Sequence, residues 1–419
     1  MRTHVTTIAT GPVQATAKAH LPSQSPLVAL STPGTFHTFD MARELEKAGM
    51  LAGIHTGYPR FKLRTVDLPI NKVRTFPWLK GPYMAGWVPA RLRREWEFWD
   101  RISFDTFVSV TMPDCDIFCG LSGSVLRSGQ VAHNRGAYFV CDRGSSHIRF
   151  QDQILREEHD LWGIPFPGVD KRTIADEEAE YELADCILVP SNFAYRSFVE
   201  MGVAAKKLCL TPYGVDLSRF RAVARPASDT FDALFVGGLS VRKGAGYLFK
   251  AYESLQHPAK SLTIVGVVSQ EIKPTLAQFV ARNTGVRLLG HVPQGDLKAV
   301  MSRSHVLILP SIEEGFGLVQ AQAMACGCPV IASQNTGAEN LFRDAIEGYI
   351  VPVRNAAAIA EAMQRLADDP ALREALSSAC LARVSDLGGW NEYGNIVRQT
   401  FVDLACRGPL SSFSQMEVA

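Results

Sequence analysis

Several things are missing from this chain of 419 residues, and each absence narrows what it can be. It has no run of about eighteen apolar residues, the length a helix needs to cross a bilayer, so no membrane span is expected. It has no excess of either charge. The formal net charge is +1, and the basic residues form no extended array, so nucleic acid is not an expected partner. It has no framework of paired cysteines. The nine are scattered singly or as close pairs, such as Cys115 with Cys119 and Cys326 with Cys328. Their number is odd and no secretory signal is evident, which points away from disulfides and toward a reducing cytoplasm. Cys326 and Cys328 lie in an apolar helix-to-strand passage, the setting of buried free thiols rather than of spaced zinc ligands. No acidic triplet of metal-binding type stands out, so neither metal nor resident cofactor is expected.

What is present is ordinary globular composition, 47% apolar and 20% charged, in a chain too long for one core. Short apolar runs alternate with amphipathic stretches, the pattern of α/β folds with parallel sheets. Strands are expected at 27–31, 106–111, 137–141, 186–189 and 208–211, then at 233–236, 261–265, 286–289, 306–309, 329–332 and 348–351. Helices are expected between them, among them 40–47, 176–183, 193–201, 296–301, 320–326 and 356–367. The segment 222–228, with Pro226, reads as a linker between two doubly wound units. The divisions expected are a loose tail over 1–25, a first Rossmann-like domain over 26–220, a second over 221–388, and a final segment over 389–419. Ligands of such sheets bind on the loops beyond the carboxyl ends of the strands, so the cleft between the two units is where chemistry is sought.

The most informative stretch is PSIEEGFGLVQAQAMACGCPVIAS over 310–333, which reads strand, glycine loop, helix, turn, strand. Gly315 and Gly317 let backbone approach a ligand, and the following helix aims unpaired N–H groups from about Leu318 and Val319 at the loop. Glu314 would repel a phosphate there. It makes better sense as an acceptor for sugar hydroxyls, with Gln322 about two helical turns further on.

This string resembles the donor-binding signature of the family-4 retaining glycosyltransferases of GT-B fold, in which two glutamates are separated by seven residues. Glu314 matches the first, which in the family contacts the donor sugar. The second, which holds the ribose hydroxyls, is Gln322 here, able to hydrogen-bond a diol without charge assistance. FVGGLSVRKG over 235–244 resembles the family loop that presents cations to the donor diphosphate. Lys243 matches the family lysine. The family often has an arginine where this chain has Gly238, and Arg242 is the candidate second charge. Such cations stabilise the leaving nucleoside diphosphate. The resemblance further implies that Gly266 and His291 line the base, that Phe316 belongs to the donor loop, that Thr336 faces the sugar and that Gly34 sits near donor and acceptor. It also implies that a helix over 390–405 returns to the first domain. The activity implied is transfer from a nucleotide sugar to a glycan or lipid-linked acceptor, with retention and without metal.

In the first domain His147 follows a strand on the small-residue loop DRGSSH, where many relatives place a cleft histidine; capping or packing is the other reading. His37 carries the same two readings, and the strand-end residues Asp142 and Arg143 read as functional or as a simple ion pair. Residues 74–104 mix Trp78, Lys80, Tyr83, Trp87, Arg91, Arg93, Arg94, Trp96 and Trp99, which suits a membrane surface, an acceptor groove or a plain connector. Two rival functions stay open: a GT-B nucleotide-sugar epimerase, and a catalytically silent binding subunit.

Overall fold

The structure, a computed structural model, describes residues 25–63 and 66–408; the tail expected over 1–25 therefore lies almost wholly outside the described residues, as does the end of the final segment beyond residue 408. Two sheets carry the chain, and every strand pair in both is parallel. The first contains β1 (Val28–Thr32), β2 (Leu51–Thr56), β3 (Val73–Thr75), β4 (Ile117–Leu121), β5 (Tyr138–Asp142), β6 (Cys186–Val189) and β7 (Leu208–Leu210), in the spatial order β3-β2-β1-β4-β5-β6-β7. The second contains β8 (Phe231–Val236), β9 (Lys260–Val265), β10 (Val286–Gly290), β11 (Val306–Leu309), β12 (Val330–Ser333) and β13 (Gly348–Val351), in the order β10-β9-β8-β11-β12-β13. The chain is thus two Rossmann-like units of GT-B type. Strand order reverses between β1 and β4 and again between β8 and β11, and a crevice opens beyond such a reversal.

The central strands are buried and largely apolar because helices cover both faces of each sheet, whereas the edge strand β10 is mostly exposed. In β8, Phe231 and Phe235 point to one face, among Leu248, Phe249 and Tyr252 of the Ala245–Ser254 helix. Leu234 points to the other, among Met301, Met324, Cys326 and Cys328. That is the period-two alternation of a strand. Burial pushes the thiol of Cys326 up to about 11. The last helix, Trp390–Arg407, packs Tyr393, Val397, Phe401 and Leu404 against Val28, Leu30, Met41 and Leu45 in the first unit.

One expected strand is a helix. Residues 106–111 are the end of the helix Arg93–Thr111. Its β-branched residues favour a strand by propensity, but Phe104 and Val108, four apart, are buried while Val110 is 70% exposed. Residues two apart would share a face in a strand, and these do not. The strand in that part of the sheet is β4, Ile117–Leu121, whose Val28-to-Ile117 register places it beside β1.

Between β3 and the Arg93–Thr111 helix the chain runs over the surface. Trp96 donates its Nε1–H to the carbonyl of Leu79 at 2.8 Å and is half-buried. Trp78, Trp87 and Trp99 are 73%, 77% and 57% exposed. No helix among the described residues is long and apolar enough to cross a membrane.

Candidate functional site

The loops after β8 and β11 form one wall of a cleft. Gly244 opens the Ala245–Ser254 helix with φ 71°, and an added Cβ would stand 1.9 Å from the carbonyl oxygen of Pro310. Only glycine lets these two loops close to that distance. The approach brings Lys243 onto the carboxylate of Glu314 and the Nε of Arg242 to within 2.7 Å of Glu313 Oε2. Two adjacent cations thus face two adjacent carboxylates. Burial first, then the charge of Arg242, push the Lys243 ammonium down to about 7, against the pull of Glu313. Arg242 keeps a side chain 38% exposed, and among the described residues its two terminal nitrogens have no hydrogen-bond partner. This wall can therefore still accept an anion.

Glu313 was not among the expected site residues, yet it is fully buried. Its Oε1 accepts hydrogen bonds from Ser145 Oγ (2.5 Å), Ser146 N (3.1 Å) and Ser146 Oγ (2.7 Å). Its Oε2 accepts from Gln151 Nε2 (2.9 Å) as well as from Arg242. Burial alone would raise its pKa. The charge of Arg242 and the hydrogen bonds from Ser145, Gln151 and Ser146 outweigh that and hold the carboxyl at about 2. The only signal in the sequence was a second acid in a loop read as facing phosphate.

Gly315 carries the same contact between the two units. A Cβ there would lie 2.0 Å from the carbonyl oxygen of Gly144, and its own carbonyl accepts from Ser191 Oγ at 2.6 Å. Phe316 is buried, edge-on to Tyr213 with ring centroids 5.4 Å apart. Gly317, at φ 72°, leads to Leu318 and the helix Val319–Ala325. That helix has 7 residues, so its dipole is short and the charge of the wall rests mainly on Arg242 and Lys243. Gln322 is half-buried on it, and its side-chain amide has no hydrogen-bond partner among the described residues.

The opposite wall comes from the loops after β1, β4 and β5. Thr35, Phe36, His37 and Asp40, with Ser122 and Arg143 to Ser145, line a cavity of about 550 Å³ that Tyr213, Leu318 and Trp390 complete. His37 meets Asp142 Oδ2 through Nε2 at 2.6 Å and stacks on Tyr213 at 4.2 Å. Arg143 is occupied: Nη1 binds Glu177 (2.7 Å) and Ser122 (3.3 Å), Nε the carbonyl of Ser146 (2.9 Å), and Nη2 Gln151 (3.2 Å).

Two expected placements change. His147 does not line this cavity. It is the N-cap of the helix Ile148–Leu161, accepting from Arg149 N through Nδ1 at 3.2 Å, and it packs on Tyr181 and Phe198, both at 5.0 Å. Burial pushes its pKa down to about 4, so it sits there neutral. The histidine in the cleft is His37. Thr336 turns away from the cleft: its hydroxyl donates to the carbonyl of Ser333 (2.9 Å) and accepts from Ala338 N (3.1 Å). His291 is exposed just beyond β10. Gly34 is buried, its carbonyl accepting from Thr56 Oγ1 at 3.2 Å, in the loop leading to Thr35. Gly238 and Gly266 lie at the ends of β8 and β9, where a Cβ on Gly266 would strike the carbonyl of Gly237 at 2.0 Å.

Residues 218–380 match the family described as glycosyl transferases group 1. A D-inositol 3-phosphate glycosyltransferase of Pseudarthrobacter chlorophenolicus is 27% identical over 317 residues, 67% of this chain and 75% of that protein. Among solved structures, sucrose-phosphate synthase of Thermosynechococcus elongatus shares the fold with a TM-score of 0.68 at 22% identity, over 90% of this chain and 98% of that one. HepE of Anabaena, in complex with UDP-glucose, does so with a TM-score of 0.66 at 16% identity, over 90% and 100%. Residues 218–380, most of the second unit, thus match the glycosyl transferases group 1 family, and the chain as a whole has the GT-B fold.

Proposed function

We propose that this chain transfers a hexose from a nucleoside-diphosphate sugar to a hydroxyl of a glycan or glycolipid, with retention, in the cytoplasm and in the assembly of cell-surface polysaccharide or glycoconjugate. The observation that carries the reading is the pairing of Arg242 and Lys243 with two acids on a wall that faces a cavity in the other unit. An incoming diphosphate exchanges with Glu314 for Lys243 and meets the free end of Arg242. Glu314 is then released toward the sugar hydroxyls. Both cations stay in place to stabilise the departing nucleotide. Gln322 serves the ribose from the adjacent helix. The acceptor enters beside His37, Tyr213 and Trp390, where aromatic faces suit the apolar face of a sugar ring. The contact of Gly315 with Gly144 excludes water from the junction. The resemblance of the 310–333 string to retaining enzymes supports retention, and no side chain is assigned as a covalent nucleophile.

A lipid-linked acceptor would place the protein against a membrane, and Trp78, Trp87 and Trp99 with Arg91 and Arg93 supply an exposed aromatic and basic surface for that. Failure to sediment with phosphatidylglycerol vesicles at low salt would remove this clause.

The test of the main reading is a thermal-shift and product screen against UDP-, GDP-, ADP- and dTDP-sugars. At about 100 times its dissociation constant a ligand adds about 2.7 kcal/mol, a shift of several degrees. One donor should give that shift and release its nucleotide slowly. An isomerised nucleotide sugar would establish the epimerase instead. Binding without turnover would favour a silent subunit.

A further inference from the structure

Glu313 belongs by chain to the donor wall and by hydrogen bonding largely to the other unit. A carboxylate offers about four acceptor sites. Five donors already converge on this one, and it is fully buried. It has no capacity left for a ligand, so whatever it does is done through its partners. On one side it holds Arg242 by Nε alone, which sets the plane of the guanidinium and leaves the terminal edge free. On the other it holds Ser145 and Ser146, and Ser145 lines the cavity. Glu314, one residue on, is different: its partner is a single lysine, which a phosphate can take over.

We propose that Glu313 is a positioning residue of the transfer reaction: it orients Arg242 toward the donor diphosphate and ties that cation to the Gly144–Ser146 edge of the acceptor cavity. This rests on the glycosyltransferase reading above. Donor binding and the closed arrangement of the cleft then share one anchor. Loosening the anchor on the serine side weakens a ligand bound on the arginine side. A second carboxylate between the units provides the control. Glu158 is also fully buried, and it holds Trp162 Nε1 (2.6 Å) and Arg354 Nε (2.7 Å) without contacting Arg242.

Isothermal titration of the intact protein with UDP, GDP, ADP and dTDP identifies the nucleotide; if wild type binds none of them, the functional reading fails and this proposal with it. With the nucleotide that binds, Arg242→Ala and Glu313→Gln should each weaken affinity about tenfold, the scale of one charge-assisted hydrogen bond. The double variant should be no weaker than Arg242→Ala alone. Ser146→Ala should weaken binding severalfold, and Glu158→Gln should leave it unchanged. Wild-type affinity in Glu313→Gln, full additivity with Arg242→Ala, or an equal loss in Glu158→Gln would overturn the proposal. If Glu313→Gln does not fold, the Ser145→Ala, Ser146→Ala double variant replaces it. Unchanged affinity there would sever the tie.

Discussion

The two walls of the cleft are built on the same topology and differ in their electrostatics. Each stands at a reversal of strand order, β1 against β4 on one side and β8 against β11 on the other. On the second unit's wall, the two terminal nitrogens of Arg242 have no hydrogen-bond partner among the described residues. On the first unit's wall, the equivalent resource is spent: all three nitrogens of Arg143 are engaged by Glu177, Ser122, Ser146 and Gln151, and Arg43 is paired with Asp40. What that wall offers instead is aromatic surface, a His37–Asp142 pair and hydroxyls. One wall is therefore fit for an anion and the other for an uncharged polyol. The fold supplies the crevice twice, and the loops decide what each side of it holds.

The comparison can be broken experimentally. Glu314→Ala should have the largest effect, lowering transfer roughly 100-fold, as loss of a group that touches the reacting sugar does. Steady-state assay alongside a melting curve checks this, and unchanged turnover in a folded protein would remove Glu314 from the site. The two histidines come next. His37→Ala should lower transfer about tenfold while nucleotide affinity is kept, because it belongs to the acceptor wall. His147→Ala should instead cost about 1 kcal/mol of stability as a lost helix cap, with the kinetics of the folded protein intact. The opposite assignment of kinetic and stability losses would restore His147 to the site. Smallest is Gln322→Glu, which should tighten nucleotide binding by about 1 kcal/mol by adding charge assistance to a ribose contact. Loss of binding in calorimetry would contradict that placement.

These differences follow how far each feature could be read along the chain. The strands of the second unit were legible because buried parallel strands are bare apolar runs: VLIL at β11 lies between a polar helix end and a glycine loop. β2 was not among the expected strands, since Gly53 and His55 interrupt its run. Residues 106–111 misled because propensity favoured a strand, while burial four residues apart made a helix. The 314–318 loop was visible from its glycines. The role of Glu313 was not, because four of its five hydrogen bonds come from Ser145, Ser146 and Gln151, more than 160 positions away.

By itself the sequence determined the α/β class, the two doubly wound units and the position of the loops that carry Arg242, Lys243 and Glu314. Apolar period, glycine and local charge are properties of a short stretch of chain and act wherever that stretch goes. Only the tertiary structure decided that His37 enters the cleft while His147 caps a helix, that Thr336 bonds back to its own turn, and that Glu313 is shared between the units. Each of those outcomes depends on which donor or acceptor stands within about 3 Å once the two sheets have closed on each other, and hydrogen bonds of that reach carry no trace in the spacing of residues along the chain.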